Sequence, residues 1–120
     1  MSLSSHAWIF LGAGLLVALV AVPLILKKVP MNRWYGVRFP QSYRSDRLWY
    51  EINRHGGGYL LGTSLAWMTY GVCGLVEPGI WNENAPRYAF FGMVVMVVST
   101  VAGTIASYLK ARQLASSAIE

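Results

Sequence analysis

Residues 7–26 read AWIFLGAGLLVALVAVPLIL, an uncharged apolar run of 20 residues that decides the fold class of this chain. At a helical rise of about 1.5 Å per residue, a run of this length spans roughly 30 Å, the thickness of the hydrocarbon core of a bilayer. Lys27 and Lys28 follow the run, whereas the positive charges of a cleaved signal peptide precede a shorter apolar core. We therefore predict that residues 7–26 form a retained membrane helix.

Two more runs of the same kind lie further along the chain, at residues 59–76 and 88–109, and neither contains a charged residue. Backbone groups in hydrocarbon must be hydrogen-bonded within the protein, so only helices and closed barrels cross a membrane. The runs lack the alternation of apolar and polar residues that barrel strands show. The sequence predicts an all-α membrane protein, with three transmembrane helices in a single membrane domain over residues 1–120.

The composition of the whole chain supports this class. Its 120 residues are 55% hydrophobic and only 12% charged, and the mean hydropathy is +0.42. A soluble domain carries about 25% charged residues. The composition therefore argues against a soluble globular domain, a coiled coil and a disordered chain.

The charges are concentrated in the first loop, residues 27–58. Residues 27–54 hold seven of the ten basic residues and two of the five acidic ones, and this balance of +5 equals the net charge of the chain. The positive-inside rule places this loop and the C-terminus in the cytoplasm, and the N-terminus outside. Anionic lipid headgroups are the expected partner, and nucleic acid is not. The expected contacts with lipid phosphates are Lys27, Lys28, Arg33, Arg44, Arg47 and Arg54.

The same loop also carries the turn-forming residues. Pro30 and Pro40 bracket a segment with Gly36 at its centre, which predicts a turn. Residues 46–55 place Leu48, Trp49 and Ile52 on one helical face, which predicts a short amphipathic helix at the membrane interface. The three glycines at 56–58 are expected to end this helix or to act as a hinge into the second span.

Small residues four positions apart indicate where the membrane helices approach each other. The second span has Gly58, Gly62 and Ala66 at this spacing, and the third has Ser99, Gly103 and Ser107. Such spacing brings small side chains onto one helix face. The contacts lie within one three-helix bundle or between copies, so a homo-oligomer is one prediction.

Seven positions of the first loop carry a resemblance to a known family. Pro30, Asn32, Gly36, Arg38 and Pro40, followed by Trp49 and Asn53 before the glycines, resemble the signature of the SdpI family of small bacterial integral membrane proteins. The family is named after an immunity protein that protects cells against a secreted killing peptide. The resemblance implies a multi-pass protein of the bacterial inner membrane, with these seven residues as the candidate site.

Four of these residues are polar and suggest specific roles. Asn32 and Asn53 are expected to bond turn backbone, and Trp49 to anchor at the interface. Arg38 is expected either to bind a lipid phosphate or to pair with Asp46 or Glu51.

No set of residues in the sequence forms a nucleophile, base or metal centre, so we predict a non-enzyme without metal or other cofactor. The first hypothesis is a binding, sensing or immunity protein against membrane-active peptides, which meets a peptide or a cytoplasmic protein at the 27–58 loop. The intramembrane hydroxyls motivate a second, an oligomeric channel or small-solute transporter. The third is an accessory subunit of a larger membrane complex.

Overall fold

The computed structural model of the chain describes residues 2–117. It contains three long helices: α1 (Leu3–Ile25), α2 (Asp46–Val76) and α3 (Ala85–Ser117). Short 3-10 helices at Pro40–Tyr43 and Pro78–Trp81 lie in the two connections, and the described residues include no strand. All three long helices are long and apolar enough to cross a membrane, which confirms the predicted class.

The short interfacial helix predicted at residues 46–55 is wrong as a separate element. Ser45 caps a single long helix, because its Oγ accepts a hydrogen bond from the Leu48 amide. This helix continues through the three glycines at 56–58 to Val76. Glycine inside a helix costs about 1 kcal/mol relative to alanine. Two of the three glycines offset this cost through close packing.

The close packing is visible from where a β-carbon would lie at each glycine. At Gly56 it would lie 2.5 Å from the Val37 side chain, and at Gly57 3.1 Å from the Ala21 carbonyl oxygen of α1. At Gly58 it would meet nothing within 4 Å. The absence of side chains at Gly56 and Gly57 therefore lets the first connection and α1 reach the backbone of α2.

Small residues also bring the helices together within the bundle, although only some of the predicted ones do so. Gly103 of α3 faces Thr63 of α2, as the spacing predicted. Gly62 faces open space, and the spacing missed Gly71, which lies against the backbone of α1, as well as Gly74 and Gly92, which lie against aromatic rings. The sequence pattern therefore predicted that small residues mark helix contacts, but it did not identify every residue that makes one.

The helices do not pack equally. α1 packs mainly against α2, and α3 also packs mainly against α2, with a smaller contact to α1. α3 meets α1 at an aromatic cluster near residues 10 and 88, where Phe10 contacts Tyr70 and the fully buried Tyr88. Further along α3, the helix contacts the first connection itself, where the Phe39 ring lies 5.4 Å from the Tyr108 ring between centroids.

Candidate functional site

The seven family-like residues lie in and against the segment between α1 and α2, residues 26–45, which we call the motif loop. Asn32 organises its first turn. Its Oδ1 accepts from the amides of Trp34 at 2.8 Å and Tyr35 at 2.7 Å, and its Nδ2 donates to the Pro30 carbonyl at 2.8 Å. One amide side chain thus replaces the hydrogen bonds that a regular helix would supply to this backbone.

Gly36 and Asn53 fasten the loop to α2. Asn53 is 1% exposed; its Oδ1 accepts from the Val37 amide at 2.6 Å, and its Nδ2 donates to the Trp49 carbonyl at 2.9 Å. Gly36 has φ +123°, in the region that favours glycine, and a β-carbon there would lie 2.6 Å from Asn53 Oδ1. The glycine and the asparagine therefore depend on each other.

The prediction that Trp49 anchors at the membrane interface is wrong. Trp49 is fully buried beneath the motif loop, where its Nε1 donates to the Val29 carbonyl at 2.8 Å. The Tyr43 ring lies 5.6 Å from it between ring centroids. A buried indole needs a partner for its N–H, and the loop backbone provides one.

Pro40 begins the 3-10 helix that closes the loop. Two residues later, the fully buried Ser42 donates from Oγ to the Val37 carbonyl at 2.8 Å. The Tyr43 hydroxyl donates to the Asn32 carbonyl at 3.0 Å, which ties the end of the loop to its first turn. The sequence interpretation missed Ser42 and Tyr43, although their position two and three residues after a turn proline was a usable signal.

The predicted pairing of Arg38 with Asp46 or Glu51 is wrong. Arg38 is exposed, and its Nη1 donates to the carbonyl of Arg33 instead. This hydrogen bond holds the Arg38 guanidinium at the edge of the loop. The remaining N–H groups of the guanidinium are available to a ligand.

Glu51 instead pairs with two of the basic residues that were predicted to contact lipid. Its carboxylate lies 2.6 Å from Lys27 Nζ and 3.5 Å from Arg54 Nη2. The hydrogen bond from Lys27 lowers the pKa of Glu51, and the nearby charge of Arg54 lowers it further. Burial lowers the pKa of His55, and the charges of Lys110 and Arg54 act in the same direction. Lys27 and Arg54 are thus engaged within the protein.

A cavity of about 920 Å³ lies beneath the motif loop, between the three helices. Arg33, Arg38 and Phe39 of the loop form one end. The walls come from α1, α2 and α3, and include Val17, Leu60, Trp67, Thr100 and Thr104. Sites for small molecules measure about 300–1,000 Å³, so this cavity is of ligand size.

Most polar atoms of the cavity wall already have partners. Thr63 Oγ1 donates to the carbonyls of Tyr59 and Ser99 at 3.2 and 3.3 Å, and Thr104 Oγ1 donates to the Thr100 carbonyl at 2.8 Å. Trp67 Nε1 donates to Ser99 Oγ at 2.9 Å. The wall therefore offers a ligand mainly methyl, methylene and ring surface, and the charges lie at the loop end.

Within residues 2–117, no three His, Cys, Asp or Glu side chains are close enough to hold a metal ion together. The side chains of Asn32, Trp49 and Asn53 bond to backbone groups rather than to one another's side chains, so they shape and hold the loop.

The comparisons with known proteins agree with the motif. The model of the SdpI/YfhL protein family matches residues 28–108, about two thirds of the chain, including the motif loop, α2 and most of α3. No curated protein and no solved structure matches the chain. The chain belongs to the SdpI/YfhL protein family.

Proposed function

We propose that this protein is a binding and sensing protein of the bacterial cytoplasmic membrane, of the immunity type, that acts against membrane-active peptides. The N-terminus lies outside, and the motif loop and C-terminus lie in the cytoplasm. Family membership supports this class of membrane protein, and the exposed tip of the motif loop is the observation that carries the binding role.

Trp34 is at this tip. It is 88% exposed, while its neighbours Asn32 and Tyr35 are bonded into the loop. Burying an exposed indole ring against another molecule is favourable, because it removes apolar surface from water. Tryptophan and arginine are the residues that contribute most to binding at protein interfaces, and Trp34 follows Arg33 directly.

The tip lies beside the membrane-spanning part of α1. The Tyr35 hydroxyl donates to the carbonyl of Val20, five residues before α1 ends at Ile25. This contact supports a position of the loop tip at the membrane surface, next to α1. A peptide inserted from the opposite side would meet the tip once its apolar segment reached this surface.

A channel or transporter has less support. Such a function was motivated by the intramembrane hydroxyls, but those of Ser64, Ser99 and Thr104 donate to carbonyls of their own helices. Hydroxyls used in this way contribute to helix structure and packing. A channel would also require several copies of the chain to surround a pore.

The test uses a host in which the gene is deleted. Cells are challenged with a panel of membrane-active peptides, and survival and transcription are recorded after complementation with the wild type, Trp34→Ala or Trp8→Ala. Trp8 is a matched control because it is also exposed, at 61%, and lies at the opposite end of the bundle.

We expect the wild type and Trp8→Ala to restore survival and Trp34→Ala to fail at equal expression. Survival and transcription that are the same with and without the gene, for every peptide, would overturn the proposed function.

A further inference from the structure

The cavity beneath the motif loop has the dimensions of one membrane leaflet. On α2 its lining runs from Gly56 to Trp67, a distance of roughly 16 Å at about 1.5 Å per residue. Half of a hydrocarbon core of about 30 Å is about 15 Å. The cavity therefore extends from the loop side to about the middle of the bilayer.

The polarity of the cavity wall changes along this length in the same way as the polarity of a phospholipid molecule. Val17, Leu60 and Trp67 supply apolar wall, and the hydroxyl of Thr63 is occupied by backbone carbonyls. The cationic groups stand only at the loop end. An occupant that matches this gradient has an apolar chain and a charged head at one end.

The charge at the loop end is uncompensated by protein carboxylates. Within residues 2–117 the ion pairs join Glu51 to Lys27 and Arg54, and they include neither Arg33 nor Arg38. Both arginines line the cavity, and Arg38 Nη1 donates to the Arg33 carbonyl, so the two residues belong to the same part of the loop. Arginine side chains suit a phosphate, which accepts paired hydrogen bonds from a guanidinium.

The cavity is also accessible from the lipid side. Thr100 and Thr104 line it and yet are exposed, so the opening runs along α3. An acyl chain entering sideways from the bilayer would not have to cross water. A peptide helix fits less well, because about 920 Å³ holds only roughly two turns of a helix 10 Å in diameter.

We propose that this cavity is a binding site for one anionic phospholipid of the loop-side leaflet, with its phosphate at Arg33 and Arg38 and an acyl chain between α1, α2 and α3. This site goes beyond the proposed peptide function, because Trp34 does not line the cavity. Either function can fail without the other.

The test measures lipid retained by the full-length protein. The chain is purified in detergent and titrated with phosphatidylglycerol or with zwitterionic phosphatidylethanolamine of the same acyl chains, and bound lipids are counted by native mass spectrometry. We expect one retained phosphatidylglycerol per chain, bound at least tenfold more tightly than phosphatidylethanolamine.

Two independent variants remove the two halves of the site. Arg33→Gln with Arg38→Gln is expected to weaken retention at least tenfold, since each substitution removes charge-assisted hydrogen bonds to the phosphate. Its control, Arg44→Gln with Arg47→Gln, removes the same charge outside the cavity lining and is expected to change retention less than about twofold.

The second variant blocks the binding of the lipid acyl chain rather than of the lipid headgroup. Thr100→Trp fills the open cavity wall and is expected to abolish stoichiometric retention, whereas Val101→Trp, the adjacent exposed residue outside the lining, is expected to preserve it.

Equal retention of both lipids would overturn the site, as would equal loss in both arginine pairs or full retention by Thr100→Trp. Tighter retention of a fatty acid or a peptide than of phosphatidylglycerol would overturn the choice of occupant. Circular dichroism of each variant monitors folding. If one variant loses helix, the lipid retention of the other variant tests the site.

Discussion

Replacing Gly36 with alanine tests the central contact of the motif loop. The new methyl group would occupy a position 2.6 Å from Asn53 Oδ1 and 3.2 Å from the Trp49 ring, on a backbone with φ +123°. A non-glycine residue in such a conformation costs about 1–3 kcal/mol. Displacing the Asn53 amide would leave the Val37 amide without its acceptor, at a further cost of about 1–3 kcal/mol. We expect Gly36→Ala to destabilise the folded loop by about 2–6 kcal/mol.

The matched control is Gly58→Ala, the same chemical change at a helical glycine with open space around it. Because alanine narrows the unfolded ensemble and suits a helix, this variant is expected to be about 0.4–1 kcal/mol more stable than the wild type. The two substitutions therefore have opposite predicted signs.

The assay is limited trypsin digestion of the protein in detergent micelles, because Lys28, Arg33 and Arg38 lie within the loop. At low protease concentration the cleavage rate follows the population of open loop. An increase of at least tenfold is expected for Gly36→Ala, and no increase is expected for Gly58→Ala.

A double-mutant cycle with Asn53→Ala separates the contact from backbone strain. Removing Asn53 removes the atom that the Gly36→Ala methyl group would displace, so the two costs overlap by about 1–3 kcal/mol. Strictly additive effects, or equal cleavage of Gly36→Ala and Gly58→Ala, would refute the geometry described for this contact.

Three further predictions concern the rest of the molecule. Because the pKa of Glu51 lies below its ordinary value of 4.5, its ion pairs stabilise the protein above that pH and are lost as the pH falls through the lowered pKa. In pH-dependent unfolding, Glu51→Gln should remove this difference, which is at most about 1 kcal/mol because the pairs are solvent-accessible; unchanged pH dependence would contradict it. Tyr88→Phe deletes the 2.9 Å bond from this hydroxyl to a carbonyl of α2 and should lower the free energy of unfolding in micelles by about 0.6 kcal/mol; no loss would argue against the bond. For topology, on a Cys73→Ser background, an impermeant thiol reagent applied to intact cells should label Asn82→Cys and not Arg44→Cys, and the reverse pattern would invert the proposed orientation.

Where sequence reasoning succeeded, the signal was local. An apolar run longer than 17 residues or so predicts a membrane helix because the bilayer thickness sets the requirement for each segment separately. The motif spacing in the first loop likewise led to the family, which the match over residues 28–108 then showed. The orientation across the membrane and the oligomeric state stay predictions.

Where sequence reasoning failed, the outcome depended on distant residues. The glycines at 56–58 were expected to end a short helix or to act as a hinge into the second span, but Val37 and α1 pack against two of them and the helix continues. Trp49 was assigned to the interface, but the loop backbone covers it. For the glycines, tertiary packing outweighs a helix-propensity cost of about 1 kcal/mol per residue. For Trp49, burial and the hydrogen bond to the Val29 carbonyl outweigh the preference of tryptophan for the interface.

The sequence by itself determined that this is a three-helix membrane protein with its surplus positive charge and its family motif in the first loop, because hydropathy, helix length and charge are properties of single segments. The sequence also predicted that Asn32 and Asn53 bond turn backbone, as they do. Only the tertiary structure decided that Trp49 lies buried under the loop and that Gly36 packs against Asn53. It also decided that Arg38 bonds to the Arg33 carbonyl while Glu51 pairs with Lys27. Only the structure showed the cavity under the loop, because its lining comes from α1, the motif loop, α2 and α3, which are far apart in the chain.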